Sequence, residues 1–128
     1  PEHRFPAPIE DALAAFDYAL GQVDGPGALA LAGDSVGGGL ALSLLLALRD
    51  AGRALPSACL LMSPWTDLAA TGESYATRAE SDPIHQRSMI LAVARGYLGP
   101  DADPCDPRAS PLYADLTGFP PLLVQVGD

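Results

Sequence analysis

A glycine-rich run, Gly33-Asp34-Ser35-Val36-Gly37-Gly38-Gly39, stands between two apolar stretches at residues 28–32 and 40–48. The first stretch has the length of a buried strand and the second reads as the body of a buried helix. A serine is thereby placed on a sharp strand-to-helix turn. In a Gly-x-Ser-x-Gly turn of this kind the central backbone is held in a strained conformation, and the serine oxygen stands exposed where acyl-transfer chemistry can begin. Residues two before and two after the serine are expected to crowd neighbouring backbone, which favours glycine; Gly33 and Gly37 fill those places. The helix that follows turns its free N–H groups and positive dipole end towards the reacting centre. The N–H of Val36 is the natural first donor to an oxyanion there.

The competing readings of a glycine-rich turn can be tested against the letters. A phosphate cradle of the Gly-x-x-x-x-Gly-Lys type needs a lysine, and all seven basic residues are arginines. A Gly-x-Gly-x-x-Gly loop would need glycine where Leu42 stands. The lack of lysine also removes Schiff-base chemistry and the Ser-x-x-Lys arrangement. A turn that merely packs a helix tightly on a strand stays open as the bland alternative.

At 128 residues and 48% hydrophobic content the chain amounts to one domain with enough apolar residues for a core. The longest apolar stretch, residues 40–48, is far shorter than the roughly 20 residues of a membrane-spanning helix. A net charge of −9 opposes binding to phosphate backbones, so no nucleic-acid partner is expected. The two cysteines, Cys59 in an apolar run and Cys105 in a polar loop, have neither metal-ligand spacing nor the density of a disulfide scaffold. No metal site is expected. With that cysteine usage a cytoplasmic location is the expectation. The opening Pro1-Glu2-His3-Arg4-Phe5-Pro6 lacks the charged start and apolar core of a signal peptide and reads as the middle of a longer sequence.

Along the chain, residues 9–20 carry Leu13, Phe16 and Leu20 at helical spacing, with Glu10 and Asp11 in the first turn and Gly21 past the end. The strand at 28–32, the turn and a helix over 36–50 closed by Gly52 come next. A second strand is predicted at 58–62 and ends at Ser63-Pro64-Trp65. The order helix, strand, helix, strand predicts a mostly parallel sheet flanked by helices. Residues 66–83 are polar and aperiodic, an excursion from the sheet. Residues 88–98 place Met89, Ile90, Val93 and Tyr97 at helical spacing, and residues 99–111, with four prolines and three aspartates, predict an ordered irregular loop. A third strand is predicted at 122–126.

These residues resemble the hormone-sensitive-lipase-like branch of the α/β-hydrolases, a group of microbial carboxylesterases and lipases. The elbow Gly-Asp-Ser-Val-Gly-Gly-Gly-Leu is similar to that branch's Gly-Asp-Ser-Ala-Gly-Gly-Asn/Gly-Leu, with Val36 where alanine is commoner. Pro1-Glu2-His3-Arg4-Phe5-Pro6-Ala7 resembles the segment after an early strand, and Ser63-Pro64-Trp65-Thr66-Asp67-Leu68 the end of the strand after the elbow. Glu73-Ser74-Tyr75-Ala76-Thr77 and Ser110-Pro111-Leu112-Tyr113-Ala114-Asp115-Leu116 are similar to a bacterial subgroup that includes acetyl-hydrolases and lactone hydrolases. The resemblance implies an α/β-hydrolase fold over 1–128, with 66–112 as a cap-side excursion after the second strand. It also implies the central part of a longer hydrolase domain, because neither the branch's His-Gly-Gly-Gly loop nor its catalytic histidine segment is found here.

A serine becomes a nucleophile only when an imidazole takes its proton and a carboxylate orients that imidazole. His3 falls in a segment that is a structural turn in the family. His85 follows Asp82-Pro83 in the excursion and is expected on the surface or against substrate. The resemblance gives Asp34 a supporting role through hydrogen bonds at the elbow, not the role of triad acid. Asp67 stands just past a strand end, where some α/β-hydrolases carry their acid, but Thr66-Asp67 is equally a helix cap or turn, and the turn is the favoured reading. Asp128 is nearest the family's acid position and stays unassigned. Trp65 is expected either to line a substrate pocket or to join the core. The resulting expectation is a serine carboxylic-ester hydrolase for small or medium acyl esters or lactones, acting through an acyl-enzyme on Ser35 without metal or cofactor. A non-catalytic ligand-binding protein on the same fold and an inactive piece with exposed sheet edges, open to homo-oligomerisation or a partner chain, remain as alternatives.

Overall fold

The computed structural model describes residues 2–127. Helix α1 (Ala7–Leu20) is followed by a 3-10 turn (Pro26–Ala28), strand β1 (Ala30–Asp34), helix α2 (Val36–Asp50) and strand β2 (Ala58–Met62). The chain then leaves the sheet for a short helix α3 (Ser74–Thr77), helix α4 (Arg87–Leu98) and a second 3-10 turn (Pro111–Tyr113), and returns as β3 (Leu122–Gln125). The three strands are parallel in the order β1-β2-β3, with Asp34 opposite Met62 and Met62 opposite Gln125 at their carboxyl ends. The architecture is a parallel α/β sheet with an excursion after its second strand.

Helix α2 is the centre of the packing. Its apolar run is buried on nearly every side because β1 and β2 lie against one face and α1 against another. Leu45 and Leu48 are fully buried. Ala41, Leu42 and Leu45 pack with Cys59 and Leu61 of β2, while Leu44 and Leu48 meet Phe16 of α1. A separate cluster of Leu68, Ala94, Leu98 and Ala109, with Phe5, Trp65 and Tyr97 against it, holds the excursion together. Its loop is pinned by the buried Ser110, whose Oγ accepts the Leu68 N–H at 2.9 Å and donates to the Pro104 carbonyl at 2.6 Å. The far end of α2 is tied to the approach of β3, since Arg49 donates to the carbonyls of Asp115 and Thr117 and stacks on Phe119. Leu123, Val124 and Val126 of the third strand and its continuation remain exposed.

The first strand differs from its sequence-based limits, running over Ala30–Asp34 instead of 28–32. Hydropathy marks where side chains are buried, but the ladder with β2 sets the strand's ends and carries it through Gly33 and Asp34. Pro26-Gly27-Ala28 is taken up by a tight turn. Residues 122–125 form the third strand, one fewer than expected, and α1 starts at Ala7 with Pro8 in its first turn, where a missing N–H costs nothing. Gly52, at φ +65°, ends α2 in the left-handed conformation that glycine adopts without penalty.

Candidate active site

Ser35 occupies the junction between β1 and α2 with φ 51° and ψ −116°. A side-chain-bearing residue at positive φ is strained and persists only where its surroundings over-determine it. Here the peptide is clamped from the end of β2. The Ser35 N–H donates to the Met62 carbonyl at 2.9 Å, and the Ser35 carbonyl accepts from Trp65 N–H at 2.8 Å as well as from Gly38 and Gly39 at the start of α2. The hydroxyl itself forms no hydrogen bond with the described residues, and the residue is exposed. Val36 opens α2, its N–H meeting no acceptor among the described residues.

The glycines around Ser35 have unequal tasks. A Cβ on Gly33 would collide with the Gly37 carbonyl and come within 2.6 Å of the Gly38 nitrogen. One on Gly38 would lie 2.7 Å from the Pro64 Cβ, and one on Gly39 would collide with the Trp65 carbonyl. At Gly37, by contrast, a Cβ would meet nothing within 4 Å, so the crowding expected there is absent among the described residues. The chain turns Gly37 outward and presents Gly38 and Gly39 to the 63–65 segment. Close approach is thus achieved by the second and third glycines of the triplet.

Ser35, Asp34 and Val36 border a cavity of about 620 Å³ whose other walls include Ser63, Trp65, Tyr75, His85 and the α4 residues Met89 and Val93. His85 shares this cavity with Ser35 but no hydrogen bond joins them; its Nδ1 lies 3.3 Å from Asp82 Oδ2. His3 is exposed and does not border the cavity. Asp34 faces the cavity without a hydrogen bond to its carboxylate among the described residues, so the bonding expected of it is not formed there: its backbone pairs with β2 while its side chain is left in the open. Asp128 lies outside the described residues. Trp65 borders the cavity and also a smaller one behind it, with its indole N–H donating to the Asp67 carbonyl at 2.9 Å.

Asp67 is an organiser of the turn that follows Trp65. Its carboxylate accepts from Ala69 N–H, from both the N–H and the hydroxyl of Thr71, and from the Tyr113 hydroxyl at 3.0 Å. Burial pushes its pKa up, but the hydrogen bonds from Thr71, Tyr113 and Ala69 outweigh it and hold the carboxyl below the usual range. A carboxylate depressed in the folded state contributes stability that is full above its unfolded pKa of about 3.9 and is lost as pH falls through the lower folded value. Asp67→Ala is therefore expected to cost about 1 kcal/mol at pH 7. In urea titrations the gap from wild type should narrow below about pH 4.

Sequence reading missed the contribution of α4 to the cavity. Its buried stripe is Ile90, Ala94 and Leu98, whereas Met89 and Val93 are half-exposed and border the cavity that holds Ser35. The available signal was a helix with apolar residues on two stripes, more than one packed face requires.

The α/β-hydrolase fold profile matches residues 1–128. The chain is 50% identical over 127 residues to an acetyl-hydrolase of Streptomyces hygroscopicus and 40% identical over 127 residues to an esterase of Acinetobacter venetianus, in each case covering 99% of this chain and 42% of the relative. Among solved structures it is similar to an esterase from the bacterial hormone-sensitive lipase family, with a TM-score of 0.93 and 51% identity over 99% of this chain and 42% of that one. The chain thus spans well under half the length of these relatives. Among the described residues no helix is long and apolar enough to cross a membrane.

Proposed function

From the premise that the chain belongs to the α/β-hydrolase fold family, we propose that it forms the nucleophile-bearing part of a serine carboxylic-ester hydrolase acting on small to medium acyl esters or lactones. One observation carries the reading: a strained, exposed Ser35 at the head of α2 whose hydroxyl, like the neighbouring Val36 N–H, has no hydrogen-bond partner among the described residues. Ser35 Oγ attacks the ester carbonyl carbon, and the carbonyl electron pair moves onto oxygen as the new C–O bond forms. The Val36 N–H and the α2 dipole stabilise that oxyanion, a contribution of roughly 3 kcal/mol for one such donor. The bond to the alcohol then breaks, the serine proton leaves with the alcohol, and water releases the acid by the reverse sequence.

We assign the base that carries this proton, and its orienting carboxylate, to neither histidine of the described structure. His3 is off the cavity, and His85 makes no hydrogen bond to Ser35. A wall of the substrate site is the role proposed for His85, Trp65 and Met89. The relatives' additional length supplies room for the base, the acid and further oxyanion donors. No step calls for a metal or organic cofactor. A cytoplasmic location is supported by two free thiols, Cys59 and Cys105. The exposed Leu123, Val124 and Val126 support pairing of this sheet with further chain or with a second copy.

The test is reaction of the protein carrying this sequence with phenylmethylsulfonyl fluoride, followed by peptide mass analysis beside an assay of p-nitrophenyl butyrate hydrolysis. Sulfonylation of the Ser35 peptide in proportion to lost turnover is expected. Turnover that survives complete labelling of Ser35 would remove Ser35 as the nucleophile, and a folded protein with neither turnover nor adduct would return the non-catalytic binding reading to first place.

A further inference from the structure

Trp65 joins the excursion to the nucleophile turn. Its backbone N–H donates to the Ser35 carbonyl at 2.8 Å, its own carbonyl lies against Gly39 of α2, and the residue borders the cavity. The indole N–H donates to the Asp67 carbonyl at 2.9 Å, so the ring is aimed by the turn that begins two residues later. That turn holds another strained residue. Ala70 is buried with φ 51°, a conformation that a residue bearing a Cβ keeps only where its neighbours impose it. The Asp67 carboxylate supplies the constraint from both sides, accepting the Ala69 N–H at 2.9 Å and the Thr71 N–H at 2.7 Å. The Ala70 carbonyl in turn accepts from Arg87 Nε at 3.0 Å. Arg87 is the first residue of α4, the helix whose Met89 and Val93 wall the cavity. From the far side the Leu112 N–H donates to the Thr66 carbonyl at 3.0 Å, and the Tyr113 hydroxyl donates to the Asp67 carboxylate at 3.0 Å.

We propose that Asp67 is a positioning residue for the reaction at Ser35: by holding Ala70 in its strained conformation, its carboxylate fixes Trp65 against the Ser35 peptide and anchors the start of α4. The inference rests on the ester-hydrolase reading above. Asp67 does not border the cavity, and its carboxylate is occupied by Ala69, Thr71 and Tyr113, so its influence on the reaction passes through geometry. Without the carboxylate the N–H groups on either side of Ala70 lose their acceptor, and the strain at Ala70 opens the turn. The Asp67 and Ala70 carbonyls then move together. One takes the indole of Trp65 with it and the other takes Arg87, so a single side chain governs two walls of the cavity and one of the bonds that clamp Ser35.

The test uses the protein carrying this sequence, with p-nitrophenyl butyrate turnover expressed per serine that phenylmethylsulfonyl fluoride titrates, so that unfolded molecules do not count. Asp67→Ala should lower kcat by about tenfold, part of the hundredfold loss that a misplacement of about 1 Å can bring. Ala70→Gly separates positioning from plain stability, because glycine adopts this φ without strain and no longer needs the carboxylate to hold it. In the Ala70→Gly background the loss caused by Asp67→Ala should therefore shrink to within about threefold. The Trp65 indole N–H resonance, assigned with Trp65→Phe, reports without turnover: it should shift in Asp67→Ala and return towards its wild-type position in the double variant. An unchanged kcat per titrated serine in Asp67→Ala, or an equal loss in both backgrounds, would overturn the positioning role and leave the hydrolase reading standing. A wild-type protein that neither turns over nor takes up the sulfonyl group would sink the hydrolase reading and the positioning role with it, even where the indole resonance still answers to Asp67. Should Asp67→Ala not fold, Tyr113→Phe removes one donor to the same carboxylate and must lower kcat by about threefold, the effect of one hydrogen bond, with the loss again smaller beside Ala70→Gly.

Discussion

Replacing Ser35 with alanine is expected to lower kcat for p-nitrophenyl butyrate by about a million-fold, the scale seen when a serine hydrolase loses its nucleophile. Thermal stability should move little, because alanine meets the same positive φ that serine does and the hydroxyl has no bond to lose. Ser35→Gly separates the two quantities further. Glycine relieves a backbone strain of order 1–3 kcal/mol, less roughly 0.5–1 kcal/mol of added chain entropy, so this variant should be equally inactive yet more stable by about 1 kcal/mol. The measurements are steady-state kinetics and urea denaturation on the three proteins. A Ser35→Gly variant less stable than wild type would show that the turn is held at no energetic cost. Residual activity within tenfold of wild type would remove Ser35 from the chemistry.

The parts of this fold that were legible from the letters are those fixed by local composition. Helix α2 and strand β2 fall on the expected residues because the apolar run of α2, interrupted only by Ser43, follows the Ser35 turn and is closed by Gly52, while that of β2 lies between Pro56 and Pro64. The limits of β1 were not legible, since they depend on which residues of β2 stand opposite. The excursion could be recognised by its loss of periodicity, but not the use of Met89 and Val93, because an apolar stripe reads alike whether it meets a core or a cavity. Asp67 was readable as a turn residue from Thr66-Asp67 alone. Its bond to Tyr113 depends on a loop far along the chain, held near it by Ser110.

The same distinction between pattern and contact gives the sharpest contrast among substitutions at the elbow. As letters, Gly33 and Gly37 are equivalent, each two positions from Ser35. In space a Cβ on Gly33 strikes the Gly37 carbonyl and the Gly38 nitrogen, both backbone groups fixed by α2 and unable to swing aside. Gly33→Ala is therefore expected to destabilise by about 3 kcal/mol, the upper part of the usual range for overpacking. Even a displacement of about 1 Å at Ser35 would carry a hundredfold loss of kcat/KM. Gly37→Ala adds a methyl to open space in the first turn of a helix, where alanine is favoured over glycine by up to about 1 kcal/mol. It should fold with equal or slightly greater stability and keep its activity. Urea denaturation and p-nitrophenyl butyrate kinetics on the pair decide the matter. Equal damage at both positions would mean that the space beside Gly37 is filled in the working protein, most directly by further chain packed along β1 and α1, where Ala12, Phe16 and Leu40 line an open groove.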